Sequence, residues 1–153
     1  MTIAITKTFN FSCVKIIDEH EYADYENQYF IGHNYKMDVE LKGAILHDNK
    51  GHVCNEQELI LKIYDKIIDK ISNAIIYNKR NPKSCLLIKQ ILKINPKQKI
   101  FDTTEKPTVE YLAELIREEI NKVYRKNVFC SRLTLYEKHD YYAVSKEERS
   151  GDV

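Results

Sequence analysis

Apolar and polar residues alternate in part along Ile3 to Ile16, a stretch rich in β-branched and aromatic side chains, and this pattern predicts a long first strand. Phe9, Phe11, Cys13 and Lys15 share one face of it, because successive strand side chains point to opposite sides. Asp18 to Gln28 is acidic, Tyr-rich and without period, so it reads as a loop. Phe30 to Leu46 predicts a second long strand, with Lys42-Gly43 as a bulge or bend. His47 to Gly51 is a turn by composition, and the two strands are expected to pair antiparallel.

The period then changes. Leu59, Ile63, Ile67, Ile71 and Ile75 recur every four residues, flanked by Ile60, Tyr64 and Ile68, which predicts a helix packed on a core. Asn55 is placed to cap it, and Glu56 and Glu58 suit the positive end of its dipole. The stretch from Asn78 to Lys106 is polar apart from an apolar piece, Cys85 to Ile94, and reads as a lid or connecting segment. A second helix starts at Pro107-Thr108, with Thr108 as N-cap and Leu112, Leu115, Ile116, Ile120 and Val123 as its apolar face. Val128 to Tyr136 and Tyr141 to Val144 predict two closing strands around a turn at Lys138-His139-Asp140.

The order strand, strand, helix, helix, strand, strand predicts an α+β fold: a four-stranded antiparallel sheet with both helices on one face. One domain over residues 1–148 is expected, followed by a charged tail, 149–153. Four strands leave two long edges, and such edges are usually paired or covered, so assembly through them is expected.

Composition narrows the function classes. Lys+Arg 24 against Asp+Glu 23 gives net +1, which removes the global electrostatic case for nucleic acid or an anionic membrane surface. The basic run Asn78 to Lys83 reads as a solvated loop. No apolar run approaches the roughly 20 residues that span a bilayer, and the N-terminus lacks a secretory layout. The four cysteines, Cys13, Cys54, Cys85 and Cys130, are scattered without a CxxC, which fits a cytoplasmic chain with reduced thiols. The sequence is heavy in Lys, Ile, Asn and Tyr with no Trp, a bias of AT-rich coding that lowers the weight of any single Lys or Asn.

Candidate chemistry starts at Gly32-His33-Asn34-Tyr35. A histidine at a strand's start can act as a metal ligand or general base, or be an ordinary strand-end residue. In chain order, Phe9 to Lys15 resembles the opening strand of the 6-pyruvoyltetrahydropterin synthase and 6-carboxytetrahydropterin synthase family. Gly32-His33-Asn34-Tyr35 resembles the end of that family's His-Gly-His-x-Tyr motif. Gly51 to Leu59 has the spacing of the segment leading into its first helix, Pro107 to Ala113 is similar to its P-T-x-E-x-L-A helix start, and Leu133 to Glu137 resembles its strand ending in glutamate. The resemblance implies a β-β-α-α-β-β tunnelling fold, with trimers closing into barrels and stacking into hexamers.

It also implies what is missing. The family binds zinc through three histidines, one ending the first strand and two from His-Gly-His. At those positions this chain has Lys15, Ile31 and His33, so neither zinc nor another cofactor is expected. Rebuilding the site from His20, Cys13 or His52 is the alternative. The family's cysteine nucleophile falls in Asp24 to Tyr29, which holds none; Glu26 could act as a base there or be a surface acid. The family's Asp-His pair falls on Ser72 and Asn73. Glu137 matches the glutamate that anchors the pterin ring, and Thr108 the segment lining the pocket; a turn acid and a helix cap are the plain alternatives. Two readings follow. One is a binding or pseudoenzyme subunit, a homo-oligomer (trimer or hexamer) retaining a pterin- or purine-like pocket. The other is a metal-free enzyme of altered chemistry, of lyase or cyclase type, using Lys15 and His33.

Overall fold

The computed structural model describes residues 2–16, 30–45, 51–124 and 128–147. The expected loop from Asp18 to Gln28, with Glu26 and His20, lies outside them, as do most of the expected turn from His47 to Gly51 and the tail. Strands β1 (Thr2–Ile16) and β2 (Phe30–Ala44) pair antiparallel over their whole length, Cys13 opposite His33 and Lys15 opposite Ile31. Alternation then sorts the side chains. Phe9, Phe11, Cys13, Tyr35, Met37, Val39 and Leu41 enter the core, while Thr8 donates to Asp38 and Ser12 to Asn34, both at 2.6 Å, on the other face.

Helix α1 (Glu56–Ile63) is capped by the Asn55 side chain, which accepts from Gln57 N–H. It continues through a π-helical turn (Tyr64–Ile68) into a last α-turn, α2 (Asp69–Ile71). The wider turn admits one extra residue and brings Ile67 and Ile68 into the core side by side, between Ile63 and Ile71. The periodicity overshoots at Ile75. The helix stops at Ser72, Asn73 takes a left-handed conformation at φ 62°, and Ile75 opens a strand. Asparagine tolerates that conformation because its short side chain bonds locally, and glycine tolerates it with no Cβ at all. Asn73→Gly is therefore expected to leave stability within about 0.5 kcal/mol, and Asn73→Ala to cost about 1 kcal/mol, read from urea unfolding.

The segment 78–106 is not a lid, and the sheet is neither four-stranded nor all-antiparallel. Strand β3 (Ile75–Asn78), helix α3 (Pro82–Ile94) and strand β4 (Ile100–Thr103) add a parallel unit, giving a six-stranded mixed sheet in the order β4-β3-β1-β2-β5-β6. The two added strands have only four residues each, too short for alternation to show. Helix α3 was legible in part as Cys85 to Ile94. Its start is set by Asn81, whose side chain accepts from Lys83 and Ser84 N–H, with Pro82 at the first position.

Helix α4 (Val109–Val123) starts at the expected cap, with Thr108 accepting from Tyr111 N–H, and buries Leu112, Ile116 and Ile120. Strands β5 (Val128–Lys138) and β6 (Tyr141–Lys146) form the closing hairpin. A register shift against β2 occurs at Glu40/Leu41, where Ser131 Oγ donates to Glu40 Oε1 at 2.7 Å. Helices α1 and α4 share one core with the inward faces of β1, β2 and β5, as expected. No helix among the described residues is long and apolar enough to cross a membrane.

Candidate functional site

At one end of this core the apolar face gives way to polar side chains without changing parity. On β1, Phe9, Phe11 and Cys13 are followed on the same face by Lys15. On β2, Tyr35 is preceded by His33, and on β5, Leu133 and Leu135 are followed by Glu137. Three adjacent strands thus bring Lys15, His33 and Glu137 to one point.

Glu137 Oε1 lies 2.9 Å from Lys15 Nζ and 2.7 Å from His33 Nε2. The side chains are only 15%, 14% and 9% exposed for Lys15, His33 and Glu137, so the ion pair is largely out of water. Lys15 also donates to the Pro107 carbonyl at 3.4 Å, which ties β1 to the start of α4. Thr108 contributes through the helix it caps, since its hydroxyl is taken by Tyr111 N–H. Of the four site residues expected from sequence, three meet, and Thr108 stands one residue from the contact.

Burial holds the His33 imidazole below its ordinary pKa; Glu137 opposes the shift, while Lys15 and Lys138 add to it. A neutral His33 donates Nε2–H to Glu137 and keeps Nδ1 as an acceptor. As pH falls below 6.5 an unfolded histidine takes up a proton that the folded His33 resists, so the unfolded state binds more protons and stability falls. The drop in urea midpoint between pH 7.5 and 5.5 is expected to be smaller in His33→Gln than in the natural chain; equal drops would remove His33 as its source.

Two further residues belong to this end of the core. Cys13 lies across from His33, and burial pushes its thiol up to about 12, so it is protonated at neutral pH and a poor nucleophile or ligand. Tyr35 stacks on Phe11 with ring centroids 5.2 Å apart and meets the His33 ring edge-on. Its hydroxyl is buried without a hydrogen-bond partner among the described residues, a place where a buried water or a ligand atom would be satisfied. The signal for Tyr35 was its place two residues after His33 on the same strand face. Nothing in the sequence marked its hydroxyl as unpaired.

At the same sheet end, a cavity of about 490 Å³ is lined by residues that include Ser12, Val14, Asn34, Asn73 and Gln98, and also Cys13 and His33. Asn73 N–H donates to the Ser12 carbonyl at 2.6 Å, so Ser72 and Asn73 do lie beside this end of β1.

The model of the 6-pyruvoyl tetrahydropterin synthase family matches residues 4–148. The chain belongs to that family. Solved structures agree in fold. An uncharacterized protein from Wolinella succinogenes superposes with a TM-score of 0.69 at 18% identity, covering 97% of this chain and 99% of that one. The 6-pyruvoyl tetrahydropterin synthase of Caenorhabditis elegans gives 0.65 at 16% identity, covering 97% of both chains. That of Plasmodium vivax gives 0.67 at 14% identity, covering 97% and 99%. No curated protein matches the chain.

The zinc that the family resemblance implies can be tested against the residues present. Lys15 and Ile31 face each other across β1 and β2, and His33 follows Ile31 by two on the same face, so the three implied ligand positions do converge. Their chemistry does not fit. Lys15 is engaged as an ammonium, Ile31 has no donor atom, and His33 Nε2 is turned to Glu137. Among the described residues no group of three or more His, Cys, Asp or Glu is placed to hold a metal ion.

Proposed function

We propose that this tetrahydropterin synthase homologue is a zinc-independent binding or pseudoenzyme subunit that takes a pterin- or purine-like small molecule. The observation that carries the reading is the Lys15–Glu137–His33 cluster: Glu137 lies at the end of β5 as the family's ring anchor would, beside an ion pair in place of ligand histidines. Both contacts fall on Oε1, so among the described residues a ligand donor would be met by Oε2. A guanine-like edge offers two N–H donors side by side and is best met by two free carboxylate oxygens. With one oxygen engaged, binding is expected to be weaker than such an edge allows. The same reading includes a homo-oligomer, trimer or hexamer, in the cytoplasm; a stable monomer by light scattering would remove the assembly.

The test is calorimetric titration of the natural chain with a soluble pterin and with guanosine, repeated on Glu137→Ala. Saturable binding that the substitution abolishes, with the circular dichroism spectrum unchanged, supports the reading. No binding of either compound removes it.

A second reading, a metal-free enzyme of lyase or cyclase type, draws on the same cluster. Lys15 and His33 meet there, 2.9 and 2.7 Å from the same carboxylate oxygen. Against it, a lysine donating as an ammonium has no lone pair with which to attack a carbonyl. Borohydride trapping with a carbonyl compound reads Lys15 directly, and an adduct there would favour the enzyme.

A further inference from the structure

We infer that Lys15 supplies, as a permanent part of the chain, the positive charge for which the three converging positions would otherwise need a metal. The site has become a cation site whose cation is built in. This inference stands whether or not a pterin-like ligand binds, because its readout is metal and not ligand.

Glu137 is largely buried, and a buried carboxylate must be matched by a cation and by hydrogen bonds. A metal ion held by neutral imidazoles would provide that match. Here the Lys15 ammonium does so at 2.9 Å, with His33 adding a neutral donor at 2.7 Å. The ammonium is anchored from a second direction by the Pro107 carbonyl, so it is held in place and not swinging in solvent. Ile31, directly across from Lys15, then has no ligand to provide and fills the space with carbon. A metal ion placed among these side chains would lie close to the ammonium, and like charges at short range in a poorly solvated place repel strongly.

The geometry that once suits a metal is nevertheless retained, because it is set by backbone register. Cross-strand partners in an antiparallel pair hold their Cβ atoms about 5 Å apart, and positions two apart on a strand share a face. Imidazoles at 15, 31 and 33 would therefore converge, with Glu137 next to them. Two substitutions, Lys15→His and Ile31→His, should be enough to restore a metal site of the three-nitrogen kind that leaves an open position.

The experiment uses the full chain, stripped with chelator, equilibrated with zinc or cobalt and read by elemental analysis and by cobalt visible absorption. The natural chain and Lys15→Arg, which keeps the charge, are expected to hold far less than one metal per chain. The double variant Lys15→His/Ile31→His is expected to hold about one, with the intense visible bands of four-coordinate cobalt. Lys15→Met, which removes the charge at similar length, is expected to melt at lower temperature than the natural chain. Stoichiometric metal in the natural chain overturns the inference, since the ammonium would not then exclude it. So does a double variant that folds by circular dichroism yet takes up no metal. If the double variant fails to fold, Lys15→Met decides: melting unchanged from the natural chain overturns the inference, and a lower melting temperature supports it.

Discussion

Lys15→Met is expected to lower the free energy of unfolding by about 3 kcal/mol, which a urea titration at neutral pH reads as a shifted midpoint at constant slope. The ion pair itself need not contribute that much. Replacing both members of a buried pair by apolar residues is often neutral or stabilising, whereas removing one leaves the other charge uncompensated. Lys15 and Glu137 are 15% and 9% exposed, so the lower end of the usual 3–5 kcal/mol range for breaking such pairs applies. Glu137 would keep one neutral donor, His33, which satisfies a lone pair without balancing the charge. The double variant Lys15→Met/Glu137→Leu is expected to recover most of the loss, because neither orphan remains and both replacements extend an apolar face already formed by Phe11, Cys13, Leu133 and Leu135. A Lys15→Met cost below about 1 kcal/mol would show that water reaches Glu137 freely and that the pair behaves as a surface one.

The same parity that produces this cluster made much of the fold legible. The alternation in Phe9, Phe11, Cys13 and Lys15 is a statement about one strand face, and the face is there, with its polar end where the sequence runs out of apolar residues. The long strands and the two amphipathic helices were readable because each repeats its period several times. What was not readable was short or mixed. Ile75 continued the helical spacing of Ile71 although Asn73 had already reversed the chain. Ile75–Asn78 and Ile100–Thr103 are too brief to show a period, and their parallel pairing depends on a helix that lay inside an apparently polar connection. At the site, the resemblance placed Lys15 and His33 in one pocket and marked Glu137 as a ring anchor. That one carboxylate oxygen binds both of the others, and so substitutes charge pairing for metal ligation, depends on distances across three strands.

Leu135→Ala is expected to cost about 3 kcal/mol, with the lost side chain leaving a cavity that the surrounding core cannot fully close. Leu135 is fully buried on β5, paired with Met37 on one side and Ala143 on the other. It is also two residues before Glu137 on the same face, so any settling of β5 into the cavity displaces the carboxylate from Lys15 and His33. A second consequence follows from that placement. The pH dependence assigned to His33 should weaken in Leu135→Ala, because a loosened end of the core admits water and relieves the burial that holds its pKa down. Val144→Ala on β6 is the matched control. Val144 is 37% exposed on the opposite face of the sheet, and its truncation is expected to stay within about 0.5 kcal/mol and to leave the pH dependence intact. Equal costs for the two would contradict the assignment of the inner and outer faces on which the whole site rests. A large cost for Leu135→Ala with an unchanged pH profile would place His33 in a part of the structure that does not depend on β5, and would detach it from Glu137.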